Sequence, residues 1–235
     1  MGRLDHRIAL VTGASRGIGR AAALALAKEG AHVIAVARTV GGLEELDDEI
    51  KRAGGAATLV PLDLRDGPAV PRLAGAVAER WKKLDILIGN AAVLQGLTPV
   101  ANINPKHWIE AFDVNVNANL RLIQFFDPLL KASDAGRAVF VTSGVARNPR
   151  AYWATYAASK AALDALVLTY AAECASTPMR ANLFNPGPTR TLMRAKAVPG
   201  EDPETLPAPD TVAAQLIELV MPGETRNGES IAFKR

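Results

Sequence analysis

The stretch Ile8–Glu29, IALVTGASRGIGRAAALALAKE, decides how this chain is built. Its first five residues, Ile8 to Thr12, are apolar and rich in β-branched types, as a buried strand requires. Its last ten, Arg20 to Glu29, carry alanines and leucines at helical spacing. Between them, Thr12-Gly13-Ala14-Ser15-Arg16-Gly17-Ile18-Gly19 places three glycines at a strand-to-helix turn. Without Cβ atoms these residues allow a tight turn and a close approach of backbone to a ligand. The free N–H groups at the helix start attract negative charge, so the turn reads as a cradle for a pyrophosphate.

Working outward, similar apolar runs recur at His32–Ala37, Thr58–Leu62, Leu84–Gly89, Ala138–Thr142 and Arg180–Phe184, each followed by a helix-like segment. Strand and helix alternating in this way predict parallel strands joined by right-handed crossovers. The expected fold is α/β: a single-domain, doubly wound parallel sheet over residues 1–235, with helices on both faces. Ligands then bind beyond the carboxyl ends of the strands. Asn104-Pro105 reads as a cap and first helical residue of a long helix running to about Leu130, and a second long helix is expected from Trp153 to Ala175. Residues 187–209 hold five prolines, too many for continuous regular structure, and read as a mobile lid inserted over the crevice.

Composition narrows the function. The 235 residues are 49% hydrophobic and 22% charged, enough apolar material for a core. The longest apolar run, Ala21–Ala27, is far short of a bilayer span, so no membrane segment is expected. The residues after Met1 lack the pattern of a secretory signal, and His6 breaks the myristoylation pattern. The lone Cys174 forms no internal disulfide and reads as a buried small hydrophobe, which fits the cytoplasm. A net charge of +3 with no basic block argues against nucleic acid. The three histidines show no ligand spacing, so no metal is expected.

A dinucleotide site that prefers NAD often has an acidic residue about 20 positions after the glycine turn, at the end of the second strand. Here that place is Arg38-Thr39. A carboxylate would repel the 2′-phosphate of NADP, whereas Arg38, with Arg16 and Ser15, neutralises it. NADP(H) is therefore expected in preference to NAD(H); the alternative is that Arg38 points into solvent. Tyr156-Ala157-Ala158-Ser159-Lys160 puts Tyr and Lys four apart, on one face of a helix. Ser143 follows the fifth strand, and Asn115 lies in the long helix before it. Both are expected to reach the crevice, and the four residues form a set able to transfer a proton.

In these motifs, taken in order over nearly the whole chain, the sequence resembles the short-chain dehydrogenase/reductase family, with its NADP-preferring 3-oxoacyl-acyl-carrier-protein reductases as the nearest pattern. The resemblance implies a Rossmann fold and a catalytic tetrad of Asn115, Ser143, Tyr156 and Lys160. It implies a cofactor site at Gly13, Ser15, Arg16, Gly17, Ile18 and Gly19, then at Arg38 and Thr39. The adenine-side pair is Asp63 and Leu64, followed by Asn90 and Ala91, and Tyr156 and Lys160 also face the cofactor. Pro186, Gly187 and Thr191 are matched to the segment that holds the nicotinamide carboxamide, with Thr189 as the alternative to Thr191. The family's Asn-Asn-Ala-Gly stands here as Gly89-Asn90-Ala91-Ala92, and a small adjustment beside the cofactor is expected.

The activity implied is hydride transfer between nicotinamide and a carbonyl or secondary alcohol, with Tyr156 as general acid and base. Lys160, joined by the positive charge of oxidised nicotinamide, is expected to lower the tyrosine pKa; Lys160 is also expected to bind the nicotinamide ribose, Ser143 to polarise the substrate oxygen, and Asn115 to hold a water. The alternative is a non-catalytic NADP-binding sensor or scaffold. Arg147, Arg150, Arg194 and Lys196 suggest positive charge at the mouth, suited to an acyl thioester, or else are solvated. Trp153 either packs on an apolar substrate or fills core. The family commonly continues beyond the strand-like Ser230–Phe233 and uses that tail in a tetramer, so a homodimer through the two long helices is expected, with a tetramer as the alternative.

Overall fold

The computed structural model describes residues 2–234. Met1 and Arg235, the ends of the lead-in and of the tail read above, lie outside the described residues. The strands are β1 (Ile8–Thr12), β2 (His32–Ala37), β3 (Ala56–Pro61), β4 (Ile86–Gly89), β5 (Arg137–Val141), β6 (Arg180–Asn185) and β7 (Ser230–Ala232). They form one seven-stranded sheet in the order β3-β2-β1-β4-β5-β6-β7, and every pairing is parallel. The chain leaves β1 toward β2 on one side and returns through β4 on the other. The order therefore reverses between β1 and β4, and the crevice opens there, beyond the strand ends.

The helices are α1 (Gly17–Lys28), α2 (Val40–Arg52), α3 (Ala69–Trp81), α4 (Pro105–Phe112), α5 (Ala118–Lys131), α6 (Ala154–Glu173), α7 (Leu192–Ala197) and α8 (Pro209–Glu218). Strand side chains alternate between faces, and the core splits accordingly. Ala9, Val11, Val33, Ala35 and Ile88 face α1, α2 and α8, where Leu26, Leu46 and Leu216 are fully buried. Ile8, Leu10, Ile34, Leu87 and Phe140 face α3, α5 and α6, where Val70, Phe126 and Leu163 are fully buried. Among the described residues no helix is long and apolar enough to cross a membrane.

One expectation about elements needs correction. The helix expected from Pro105 to Leu130 is interrupted: residues Asp113–Asn117 form a π turn between α4 and α5. One wide turn leaves the apolar periodicity on either side nearly intact, so the sequence pattern hides it. As expected, residues 187–209 hold no continuous regular structure: α7 and a 3₁₀ turn at Pro203–Thr205 are short, with irregular chain between them. Pro203 and Pro209 each sit in a first helical turn. Ion pairs of Arg194 with Glu201 (2.6 Å) and Arg190 with Glu204 (2.6 Å) hold this segment together.

Candidate active site

A cleft of about 1560 Å³ lies over the carboxyl ends of β1 to β6, roofed by residues 186–209. At its floor the glycine turn leaves β1. Gly13 (φ +65°) and Gly17 (φ +58°) occupy left-handed backbone. Gly19 is required for close approach: a Cβ there would stand 2.4 Å from Asn90 Nδ2 and from the Gly13 carbonyl oxygen. Thr12, which sequence reasoning left out of the site, braces the turn. Its hydroxyl accepts from the backbone N–H of Asn90 (3.0 Å) and Ala91 (3.1 Å), and Asn90 Nδ2 returns a hydrogen bond to the Thr12 carbonyl (2.9 Å). Helix α1 begins without a side-chain cap, so its first N–H groups are left for a ligand at the turn.

Gly13, Ser15, Arg16, Gly17 and Ile18 line the cleft, as do Asn90, Ala91 and Ala92. Gly19 does not; it is buried behind the turn. Arg38 and Thr39 line the cleft at the end of β2 and are exposed. Asp63 and Leu64 line it at the end of β3, but Arg65 grips the Asp63 carboxylate through Nε (3.1 Å) and Nη2 (2.6 Å) and reaches Glu110 on α4 (3.0 Å). That hydrogen-bonded guanidinium holds the Asp63 carboxyl below its usual range. On the roof, Thr189 is buried and its hydroxyl donates within its own turn, to the carbonyls of Pro186 and Gly187 (3.3 Å each). Thr191 caps α7 by accepting from Arg194 N (3.2 Å), and its methyl would lie 3.4 Å from a Cβ on Gly17. Both threonines line the cleft with Pro186 and Gly187.

Ser143, Tyr156 and Lys160 all line the cleft. Ser143 follows β5 and caps a 3₁₀ turn. Tyr156 and Lys160 lie one turn apart on α6 and are 8% and 1% exposed, yet both line the cleft. Lys160 Nζ sits 5.8 Å from the Tyr156 ring centre and donates to the Val141 carbonyl (2.7 Å). Burial pushes the Tyr156 hydroxyl up to about 12, and burial, partly offset by Asp164, pushes the Lys160 ammonium down to about 8. Removal from water disfavours the charged form of each group.

Asn115 does not reach the cleft. It is fully buried in the π turn, and its side chain is spent on the wall: Oδ1 accepts from Val93 N (2.8 Å), and Nδ2 donates to the Val93 carbonyl (2.9 Å) and to Ser159 Oγ (2.9 Å). Ser159 passes the tie to the Tyr156 carbonyl (2.8 Å). Three of the four hydrogen-bonding positions of the Asn115 amide are thus taken up in bracing the wall. Of the mouth cations, Arg194 pairs with Glu201 and Arg147 turns to Asp164 (3.8 Å), whereas Arg150 and Lys196 line the cleft. Trp153 is half-buried, packs edge-on to Tyr156 with ring centres 6.3 Å apart and lines the cleft. Among the described residues no three His, Cys, Asp or Glu side chains gather to hold a metal.

Comparison with known proteins places this arrangement. The short chain dehydrogenase family profile matches residues 7–202. The oxidoreductase YciK of Escherichia coli K12, itself uncharacterized, is 41% identical over 233 residues, 98% of this chain and 92% of that one. A short chain dehydrogenase of Shigella flexneri 2a, solved with NADP, superposes with a TM-score of 0.93 at 37% identity, covering 97% of both chains. Another from Escherichia coli CFT073, solved with NADPH, gives 0.91 at 37% identity, again over 97% of each. The chain belongs to the short-chain dehydrogenase/reductase family and is an NAD(P)-dependent oxidoreductase of the Rossmann type.

Proposed function

We propose that this enzyme is an NADPH-dependent carbonyl reductase in which Tyr156 hands a proton to the substrate oxygen. One observation carries the reading: Tyr156 and Lys160 are buried one turn apart on α6 and, with Ser143, line the cleft beyond the carboxyl ends of the strands. The cleft fits a phosphorylated dinucleotide. Its turn admits no Cβ at Gly19, α1 offers uncapped N–H groups, and Arg16 and Arg38 stand exposed on the rim with no carboxylate at the end of β2. Gly13 to Ile18 would hold the pyrophosphate, Arg38 with Ser15 and Arg16 the 2′-phosphate, and Thr191 or Thr189 the carboxamide. Asp63 and Leu64 would flank the adenine.

When bound, the nicotinamide supplies the hydride at C4. A tyrosine whose pKa burial pushes up to about 12 stays protonated at neutral pH and so can donate to the substrate oxygen. Ser143 would hydrogen-bond the substrate oxygen and polarise it. Lys160 would direct its remaining N–H groups at the ribose, and Asn115 would act by fixing the wall rather than by touching the reactants. The segment 187–209 serves as a lid on a single domain, and residues from Leu94 to Leu97, with Trp153, Leu192 and Met193, make an apolar acyl or ring site. Arg150 and Lys196 at the rim favour substrates with an acidic end, a 3-oxoacyl thioester among them. Exposed Leu120 and Phe125 on α5 support a homodimer through α5 and α6.

The test is loss of NADPH absorbance over a panel of aldehydes, ketones, quinones and 3-oxoacyl thioesters, with Tyr156→Phe alongside. Turnover should fall by roughly 10²–10⁴-fold in the variant with NADPH affinity kept. Undiminished turnover in the variant, or tight NADPH binding with no turnover on any substrate, sinks the proposal.

A further inference from the structure

Asp164 has no part in the proton path described above, yet the fold keeps its carboxylate inside, 7% exposed, one turn beyond Lys160 on α6. A buried carboxylate is costly unless it is paired and hydrogen-bonded. Its partners all belong to the site. Oδ1 accepts a short hydrogen bond from the hydroxyl of Thr142, the residue immediately before Ser143. Oδ2 lies 3.8 Å from Nε of Arg147, on the turn that Ser143 caps. The carboxylate thus ties the backbone that presents Ser143 to the helix that presents Tyr156 and Lys160, along the same seam as the Lys160–Val141 hydrogen bond.

The surroundings leave Lys160 with one anionic neighbour. From its own helix come Tyr156 and Asp164, and from the turn after β5 comes Arg147. On α4, Glu110 is bound to Arg65, while Lys106 and His107 are exposed. In the π turn, Asp113 accepts from Asn117. On α5, Asp127 is held by Lys131 and the Tyr170 hydroxyl. At the start of β6, Arg180 donates to the carbonyls of Thr177 and Met179. Lys160 itself meets only a neutral carbonyl as a hydrogen-bond acceptor among the described residues.

We propose that Asp164 is a positioning residue of this active site, holding Thr142, and with it Ser143, against α6 while supplying the counter-charge that keeps Lys160 an ammonium. This rests on the reading of Tyr156 and Lys160 as the proton-transfer pair. Burial pushes Lys160 down to about 8 and Tyr156 up to about 12, so as pH rises the first charge to be lost is that of Lys160, and carbonyl reduction falls with it. Removing the Asp164 charge moves this alkaline limb to lower pH. Removing the Arg147 charge, which opposes the ammonium and offsets Asp164, moves it to higher pH.

The experiment is the pH profile of kcat/KM for NADPH-dependent reduction of the best carbonyl substrate, in wild type, Asp164→Asn, Asp164→Glu and Arg147→Gln, with NADPH Kd by fluorescence. Asp164→Asn should shift the limb down by about one pH unit, Asp164→Glu should restore it, and Arg147→Gln should shift it up by a few tenths. A carboxylate that serves only to pack the fold changes the height of the profile without moving its limb, and an unmoved limb in Asp164→Asn overturns the proposal. Should Asp164→Asn fail to fold, Asp164→Glu decides the matter: it keeps the charge, and a limb that falls as far as expected of the neutral variant overturns the proposal. Retained turnover in Tyr156→Phe would instead strike the underlying reading, which separates the two failures.

Discussion

At the end of β2, Arg38 and Thr39 stand on the rim of the cleft, and across from them Asp63 is already gripped by Arg65. The positive rim at Arg16 and Arg38 is therefore not cancelled by a free carboxylate, and one substitution tests its meaning. Arg38→Glu should raise the KM for NADPH roughly 10- to 100-fold, the worth of one or two charge-assisted hydrogen bonds, and leave that for NADH little changed. Steady-state kinetics with both cofactors measures it; equal effects would mean that Arg38 only meets solvent. Both Arg38 and the Tyr156–Lys160 spacing were legible in the sequence, because each depends on residue type at a fixed place in a strand–turn–helix unit. The burial of Tyr156 was not, since beside its near neighbour Trp153 the desolvation comes from Val145 and Leu94, which lie on other segments of the chain.

Among the elements, the π turn Asp113–Asn117 differs most from the sequence pattern. It aims Asn115 into the wall, where the amide satisfies both backbone groups of Val93 and reaches Ser159. Asn115→Ala leaves those buried groups unpaired. We expect a loss of about 1–3 kcal/mol in stability by urea unfolding, together with reduced turnover, as the wall slackens behind Tyr156. Unchanged stability would show that the wall does not need the amide. The strands were legible because buried parallel strands read as short apolar runs, and their ends shifted by only a residue or two. The content of 187–209 was not, because proline in a first helical turn and proline in a loop look alike without the hydrogen bonds.

For the whole molecule, Asp85 joins distant parts at the amino ends of the strands. It is fully buried and accepts from Ile8 N (2.9 Å), Ser133 Oγ (2.6 Å), Lys83 Nζ (2.9 Å) and Arg7 Nη1 (2.9 Å). Burial alone would raise its pKa, but these donors outweigh it and the net shift is downward. A depressed carboxylate contributes stability that is fully present above its unfolded pKa of about 3.9 and is lost as pH falls through the folded value. Thermal unfolding from about pH 2 to 7 should therefore show Tm dropping on the acid side. Asp85→Asn should flatten that drop while lowering Tm at neutral pH; a parallel acid limb in the variant would refute the role. On the outer surface, Phe125 on α5 is 41% exposed, and Phe125→Asp should convert a dimer to a monomer in sedimentation without changing the helical content. A wild-type chain that sediments as a monomer would refute the proposed interface.

The sequence by itself determined the alternation of strand and helix, the glycine turn, the place of Arg38 and the order Ser143, Tyr156, Lys160, because each follows from local periodicity and from residue types a few positions apart. Only the tertiary structure decided that Asn115 braces Val93 rather than facing the cleft, that Arg65 holds Asp63, and that Asp164 reaches Thr142. Those outcomes depend on which side chains meet across the seams between elements and on how much water is excluded there, and neither quantity is carried by spacing along the chain.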